Sequence, residues 1–205
     1  MNIVLFTQRV ELVESYNERR DCADQCIAEF IRVTGFLPIP VPNNVDIVEK
    51  YVNELKPAGI ILTGGNSPVA YGGNAPERDN VDEKLIKAGI EQRIPVYGFC
   101  RGMQSILVYF GNKLENVSGH VAVRHDVNGE INRNVNSYHN QACTKLKEGC
   151  GLVPMARTED GVVEAVRHTT YPIMATMWHP EREACFDQAD IQMLKNLLYD
   201  NENRR

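Results

Sequence analysis

The first half of the chain alternates short apolar runs with segments of helical periodicity. The apolar runs predict strands at Ile3–Phe6, Leu37–Val41, Gly59–Leu62 and Pro95–Phe99. The periodic segments predict helices near Tyr16–Val33, Val45–Leu55, Asp79–Gln92 and Gly102–Phe110. This βα repeat predicts an α/β fold with a doubly wound, mostly parallel sheet flanked by helices. In such sheets ligands bind beyond the carboxyl ends of the strands.

The pattern changes after residue 112, where short segments rich in Val, His, Asn and Gly begin. They predict antiparallel strands at Val121–Val127, Val162–Val166 and Ile173–Met177, a small β addition to the parallel sheet. A last amphipathic helix is predicted at Gln188–Tyr199, and the polar residues 200–205 are expected to fray. With 205 residues and no linker-like stretch, the chain is expected to form one domain over residues 1–205.

Composition narrows the classes of partner. The formal net charge of -5 disfavours nucleic acid and anionic membranes as partners. No apolar run is long enough to span a bilayer, and the N-terminus lacks the basic region of a signal peptide, so a cytoplasmic location is expected. The six cysteines lack zinc-site spacing; Cys22 and Cys26 are interpreted as small core residues on one helical face, a shared metal being the alternative.

Cys100 stands at the junction of a predicted strand and a predicted helix, between Gly98 and Gly102. Glycines tolerate the strained backbone of such a sharp turn because they carry no Cβ atom. The helix N-terminus also favours a thiolate, since free N–H groups and aligned peptide dipoles stabilise negative charge there. Cys100 is therefore a candidate nucleophile, and a buried structural cysteine is the alternative.

A thiol nucleophile needs a base, and Trp178-His179-Pro180-Glu181 follows another predicted strand. His179 would lie at the same edge of the sheet as Cys100, and Glu181 could accept a hydrogen bond from the far imidazole nitrogen. The alternative is a surface turn. An oxyanion hole needs backbone N–H groups, and the amides of Gly65 and Arg101 are the natural donors. Gly65 belongs to a glycine pair that could also simply form a turn.

These motifs together resemble the class I glutamine amidotransferase-like superfamily, and within it the stand-alone γ-glutamyl hydrolases. The motifs are Leu62–Ser67, Pro76–Asp82, Gly98–Gln104 and Val135–Gln141. The short chain, with Thr7-Gln8-Arg9 and Ser15-Tyr16, is similar to the γ-glutamyl-CDP-amidate hydrolases, which act in making the phosphoramidate decoration of bacterial capsules.

The resemblance implies a small-molecule γ-glutamyl substrate and a thioester intermediate. It implies that Cys100 is the nucleophile, His179 the base and then acid, and Glu181 the residue that orients His179. Six residues would contact substrate: Gly64, Asn66, Gln104, Ser137, Tyr138 and His139. Asn140 occupies a position where family members often carry a second histidine. No metal or organic cofactor is expected, because a thiolate with a neighbouring imidazole suffices for acyl transfer.

Three alternatives to this function stay open. One is a γ-glutamyl-aminobutyrate type of hydrolase, and another is a glutaminase subunit that passes ammonia to a synthase partner. The third is a non-catalytic regulatory protein that retains the fold. The chain is expected to be a monomer or a homodimer unless such a synthase partner binds it.

The remaining histidines and the basic residues near the N-terminus carry weaker signals. His120 and His125 are expected on opposite faces of a strand, which makes a shared metal improbable; His125 at the active-site rim is an open alternative. His168 is interpreted as a surface or turn residue. A basic and aromatic cluster could contact an anionic substrate or simply be solvated: Arg9, Tyr16, Arg19 and Arg20.

Overall fold

The computed structural model describes residues 2–202, and residues 1 and 203–205 lie outside the description. The strands are β1 (Ile3–Phe6), β2 (Arg9–Val13), β3 (Glu18–Cys22), β4 (Leu37–Pro40), β5 (Gly59–Leu62), β6 (Val96–Phe99), β7 (Glu115–Asn116), β8 (Val121–Gly129), β9 (Arg133–Tyr138), β10 (Gln141–Ala142), β11 (Leu152–Arg157), β12 (Val163–His168) and β13 (Ile173–Thr176). The α-helices are α1 (Gln25–Val33), α2 (Val45–Leu55), α3 (Pro76–Glu91), α4 (Arg101–Tyr109) and α5 (Gln188–Glu202). Short 3-10 turns occur at Glu14–Tyr16, Val69–Tyr71 and Pro180–Arg182.

One nine-stranded sheet organises the molecule, in the order β4-β1-β5-β6-β13-β12-β11-β8-β9. The strands from β4 to β13 pair in parallel, and those from β13 to β9 pair antiparallel. The predicted α/β class, a parallel sheet with an antiparallel addition, is therefore confirmed. The strand predicted at Ile173–Met177 as antiparallel instead belongs to both parts, since β13 pairs in parallel with β6 and antiparallel with β12. The carboxyl ends of β5, β6 and β13 lie side by side at one edge, because these strands are adjacent and parallel.

Helices cover both faces of the parallel strands. Alternate side chains of β1 face opposite sides: Leu5 packs in the cluster that contains α2, α3 and α4, and Val4 and Phe6 pack in the cluster that contains α1 and α5. Both clusters are built from apolar side chains, and burial of such side chains is the main stabilising contribution to the fold. Among residues 2–202, no helix combines the length and apolar character needed to cross a membrane.

The predicted helix at Tyr16–Val33 is wrong in its first half, where the chain forms a hairpin of β2 and β3. Residues 18–21 are all charged and exposed, so they offer no apolar stripe for a helix to bury. Asn17 makes the turn in the left-handed region at φ 47°, a conformation that Asn tolerates. Helix α1 begins only after Asp24, whose side chain caps the Cys26 amide.

Smaller differences concern the cysteines of this region and the helix ends. Cys22 ends β3 and is partly buried, and Cys26 is exposed on α1, so the prediction of two core residues on one helical face is wrong. Helix α3 begins three residues earlier than predicted because Pro76 is favoured at a first helical position. Helix α5 continues to Glu202, beyond its predicted end at Tyr199, and the rest of the tail that is expected to fray lies outside the described residues.

Candidate active site

Cys100 lies at the apex of the predicted sharp turn between β6 and α4. Its backbone has φ 50° and ψ -108°, a region that residues with a side chain rarely adopt. The Cys100 amide donates to the Thr176 carbonyl of β13 at 2.8 Å, and its carbonyl accepts from the Gln104 amide at 3.0 Å. These bonds hold the strained residue in place, with its side chain at the N-terminus of α4.

The glycine after the turn is required by packing. A Cβ atom on Gly102 would lie 1.9 Å from the Leu62 carbonyl oxygen, well inside van der Waals contact. Helix α4 can therefore begin directly against the end of β5 only because residue 102 has no side chain. This close approach brings the Cys100 turn next to the loop that follows β5.

His179 and Glu181 form a buried pair at the same edge of the sheet. His179 Nδ1 lies 2.7 Å from Glu181 Oε1, and both side chains are at most 3% exposed. Asn136 of β9 holds the backbone of His179 on both sides: its Oδ1 accepts from the His179 amide at 2.9 Å, and its Nδ2 donates to the His179 carbonyl at 2.8 Å. Sequence reasoning missed this contact, since only the folded sheet brings residue 136 to residue 179.

Aromatic side chains pack around the His179 ring, and the groups near it favour the protonated imidazole. The rings of Phe99 and Tyr138 approach it edge-on, with centroids at 5.7 and 5.6 Å. Burial alone would lower the pKa of His179, but the Cys100 sulfur and then Glu181 outweigh it and raise the pKa to about 9. Nε2 has no hydrogen-bond partner among the described residues, so it is the nitrogen available to the thiol or to a substrate.

The Gly64-Gly65 loop lies against the His179 ring. A Cβ atom on Gly64 would lie 2.7 Å from His179 Cε1, so only glycine permits this approach. Arg78, fully buried, donates to the carbonyls of Thr63 at 2.5 Å and Gly64 at 2.9 Å. Burial lowers the pKa of Arg78 to about 10, which leaves it charged at neutral pH. This cation fixes the loop that carries the Gly65 amide.

The amides of Gly65 and Arg101 have no acceptor among the described residues, as donors to an oxyanion would require. The Arg101 side chain is bonded elsewhere and is not one of these oxyanion donors. It is buried in a network with Asp79, Asp82 and Ser105, with Nη1 3.0 Å from Asp82 Oδ2. The Arg101 amide is therefore a candidate oxyanion donor, whereas the Arg101 side chain belongs to a buried ion-pair network.

The six predicted substrate residues divide by what they contact. Gly64 and Tyr138 contact His179. The side chains of the other four bond to other parts of the protein, and Gln104, buried on α4, donates to the Gln141 carbonyl at 2.9 Å. Asn66 bonds both to the Val10 amide and to the Val10 carbonyl at 2.8 Å, Ser137 donates to the His120 carbonyl at 2.6 Å, and His139 binds Glu164.

A small cavity of about 120 Å³ lies beside the imidazole, lined in part by Gly64, Gly65, His179, Arg9 and Arg182. Arg9 comes from the β2–β3 hairpin, which the Asn66 side chain anchors above the β5 loop.

Among the basic and aromatic residues singled out near the N-terminus, only Arg9 lines this cavity. Arg9 also pairs with Glu11, Arg19 binds Glu77, Arg20 binds Glu18, and Tyr16 is exposed. Arg182, which sequence reasoning missed, stacks on the Tyr138 ring at 4.5 Å.

The prediction that His120 and His125 lie on opposite faces is wrong. Their ring centroids are 4.9 Å apart, and both lie beside Glu164 of β12. The pairing of β8 with β9 shifts by one residue between Val121 and Val123, and Ala122 has a positive φ of 54°. This bulge adds one residue to the strand and returns both histidines to the same face. His125 accordingly contacts Glu164.

His168 and Asn140 have local roles. Nδ1 of His168 accepts from the amides of Thr170 at 2.9 Å and Tyr171 at 3.1 Å, which makes it the turn residue expected. The Asn140 side chain is exposed, and its carbonyl accepts from Val117 at 2.9 Å.

Comparison with known proteins identifies the family of this chain. The model of the family described as glutamine amidotransferase class-I matches residues 20–200. The chain belongs to this family. Among glutamine amidotransferase relatives, it is 33% identical over 195 residues to the γ-glutamyl-CDP-amidate hydrolase of Campylobacter jejuni, covering 92% of this chain and 94% of that one. It is 31% identical over 190 residues to the γ-glutamyl-γ-aminobutyrate hydrolase of Escherichia coli, covering 72% and 73%.

A solved structure from Thermoplasma acidophilum, described as one component of a GMP synthase, shares the fold. Its TM-score is 0.75 with 19% identity, and the match covers 100% of this chain and 99% of that one. Together the family and its relatives support an enzyme that acts on γ-glutamyl amides, as a hydrolase or with glutamine amidotransferase-type activity.

Proposed function

We propose that the protein is a single-domain γ-glutamyl amide hydrolase with Cys100 as its nucleophile. The observation that carries this proposal is the position of Cys100 in a strained turn, at a helix N-terminus, beside a buried imidazole whose other nitrogen is 2.7 Å from a carboxylate. A purely structural role for Cys100 would not explain why backbone strain, a charged imidazole and unpartnered amides occur at one place.

The reaction follows from these groups. The Cys100 sulfur attacks the γ-carbonyl carbon, and the amides of Gly65 and Arg101 donate to the oxyanion that forms. His179 gives its proton to the leaving nitrogen, the C–N bond breaks, and a γ-glutamyl thioester remains on Cys100. His179 then takes a proton from water, which attacks the thioester and releases glutamate and the Cys100 thiolate, so that the sulfur and the protonated imidazole are restored. Glu181 holds the imidazole in the orientation that each transfer needs.

The proposed substrate is γ-glutamyl-CDP-amidate, giving glutamate and cytidine diphosphoramidate for capsule phosphoramidate synthesis in the cytoplasm. Similarity over nearly the full length of the Campylobacter jejuni relative supports this choice. The guanidinium groups of Arg9 and Arg182 also support it: both residues line the cavity, together with Asp24 and Glu181, and guanidinium groups bind phosphate oxygens in bidentate fashion.

The test is hydrolysis of a substrate panel by the purified chain, with glutamate release as the readout. The panel is γ-glutamyl-CDP-amidate, γ-glutamyl-aminobutyrate and glutamine. We expect the first to have the highest kcat/KM, and we expect the Cys100→Ala variant to lose activity on all three. Cys185→Ala is the matched control, because Cys185 is exposed and free, and it should match the parent.

Each other outcome has a definite meaning. Full activity of Cys100→Ala would rule out Cys100 as the nucleophile and with it the proposed mechanism. Preference for γ-glutamyl-aminobutyrate would keep the mechanism and replace the substrate. Turnover of glutamine only, and only with a synthase present, would make the protein a glutaminase component of a two-part enzyme.

Contact with the diphosphate can be tested separately. We expect Arg9→Gln to raise KM for γ-glutamyl-CDP-amidate about tenfold, because loss of one charge-assisted contact costs about 1.4 kcal/mol. The same substitution should leave KM for γ-glutamyl-aminobutyrate unchanged. Arg20→Gln is the matched control, since Arg20 binds Glu18 on the same hairpin. An equal rise in KM for both substrates would contradict a diphosphate contact.

A further inference from the structure

A second cluster of titratable side chains lies apart from the residues proposed for hydrolysis. His120 precedes β8, His125 lies within β8, and Glu164 lies in β12. Their ligand atoms all fall within 4.8 Å of one another. His120 Nδ1 is 3.6 Å from Glu164 Oε1, and His125 Nε2 is 3.5 Å from Glu164 Oε2. No step of the proposed reaction uses these groups.

The atoms that converge in this cluster have no hydrogen-bond partner among the described residues. They are His120 Nδ1, His125 Nε2 and Glu164 Oε2. His120 is 3% exposed and Glu164 is 0% exposed, so these atoms lie below the protein surface. An unpaired buried polar atom costs about 1–3 kcal/mol, and three in one place call for an occupant that all three can bind.

In two of the three side chains, His120 and Glu164, the opposite atom is already held. His120 Nε2 lies 2.9 Å from Asp160 Oδ2, and His139 Nε2 lies 3.1 Å from Glu164 Oε1. A metal-bound imidazole almost always has its other nitrogen hydrogen-bonded to a carboxylate, carbonyl or water, and a ligating carboxylate is likewise held. His120 and Glu164 show this outer arrangement.

The distances and ligand types fit a transition metal. Ligands about 2.1 Å from a tetrahedral ion lie about 3.4 Å from one another, close to the 3.5 Å between His125 Nε2 and Glu164 Oε2. Two imidazoles and a carboxylate suit Zn²⁺ and its neighbours better than Mg²⁺ or Ca²⁺. A cavity of about 720 Å³ is lined by His120, His125 and Asp160, which supplies an entry path and space for a fourth ligand.

We propose that His120, His125 and Glu164 bind one divalent transition metal ion, best matched by Zn²⁺, with a fourth coordination position open to this cavity. The ion would join β8 to β12, next to the segment of β9 that leads to His139. Tyr138, one residue before His139, contacts the His179 ring, so the ion would stabilise the wall behind the proposed active site.

The test is metal binding by the tag-free, full-length chain in a Cys100→Ala background, which removes the thiol of the proposed active site as a competing ligand. After incubation with Zn²⁺ and dialysis, we expect one equivalent of zinc by elemental analysis. Substitution with Co²⁺ should give tetrahedral ligand-field bands without sulfur-to-metal charge transfer, because all three ligands are nitrogen or oxygen.

Zinc affinities of substituted chains test which residues bind the ion. His125→Gln and Glu164→Gln should each weaken zinc binding by at least about 100-fold, and Asp160→Asn by about 10- to 100-fold as a loss of support to His120. Glu159→Gln, which changes another carboxylate lining the cavity, and His168→Gln, which changes a histidine outside it, are the matched controls and should bind like the parent. His125 is 17% exposed, so its variant remains informative if the buried Glu164→Gln chain fails to fold.

Three results would overturn the proposal. They are less than half an equivalent of zinc in the folded parent, equal affinity in His125→Gln and in the controls, or cobalt bands that report sulfur ligation. Circular dichroism of each variant shows whether a loss of binding reflects the site or loss of the fold.

Discussion

Removal of the Cys100 sulfur should lower the pKa of His179. The pKa of His179 is raised to about 9 from an ordinary 6.5, although its burial acts in the opposite direction. The difference corresponds to about 3 kcal/mol at about 1.4 kcal/mol per pKa unit. Cys100 contributes more to the rise than Glu181 does. We therefore expect Cys100→Ala to lower the pKa by more than one unit, and Glu181→Gln to lower it less.

The measurement is a pH titration of the imidazole resonances by two-dimensional NMR. The chain has five histidines, so the spectrum of His179→Gln identifies the signal. A pKa that stays near 9 in Cys100→Ala would refute the pairing of sulfur and imidazole. A parent pKa near 6.5 would refute the electrostatic argument altogether.

The same pair sets the pH dependence of stability. A histidine whose pKa is higher in the folded than in the unfolded state stabilises the fold fully below about pH 6.5, and that stabilisation is lost as the pH rises through about 9. Denaturant unfolding should therefore show a decline in the free energy of unfolding between about pH 7 and 9. We expect a shallower decline in Cys100→Ala, and an equally steep one would contradict the assignment.

Three further substitutions test the architecture around the proposed site. Gly102→Ala should lower the free energy of unfolding by about 1–3 kcal/mol or more in urea, because the new Cβ overlaps the Leu62 carbonyl. Asn66→Ala removes both bonds to Val10, and we expect faster amide hydrogen exchange at Val10 with about 1–3 kcal/mol of local stability lost. Arg78→Met should lower kcat by about 100-fold through displacement of the loop it fixes, measured on γ-glutamyl-CDP-amidate.

Contrary results for these three would be informative. An unchanged unfolding curve for Gly102→Ala would mean that α4 can shift away from β5. Unchanged exchange at Val10 would mean that other contacts suffice to anchor the hairpin. Unchanged kcat in Arg78→Met, with the fold intact, would mean that the Gly64-Gly65 loop needs no buried cation.

The parallel part of the fold and the Cys100 turn could be predicted because their signals are local. Each strand such as Gly59–Leu62 is a continuous apolar run, and each helix repeats its apolar side chains every three to four residues. Gly98 and Gly102 mark the turn by their spacing alone. His179 and Glu181 are two residues apart, so their contact needed no knowledge of the tertiary structure.

The hairpin and the histidine cluster could not be predicted because distant residues decide them. The β2–β3 hairpin is anchored by Asn66, fifty-six residues from Val10. The cluster depends on a bulge at Ala122, and alanine rarely adopts a positive φ, so no turn residue marks the shift in register. Glu164 reaches the histidines only after β12 has paired within the sheet.

The way the β2–β3 hairpin is attached has a consequence for how this family can diversify. The two strands of the hairpin pair with each other outside the nine-stranded sheet, and the hairpin contributes Arg9 and Cys22 to the lining of the cavity. Residues 9–22 therefore lie at the cavity without contributing a strand to the sheet that carries the Cys100 turn. If the proposed substrate contact at Arg9 holds, exchange of this segment for that of a relative should change KM for the leaving group while the chemistry at Cys100 stays the same.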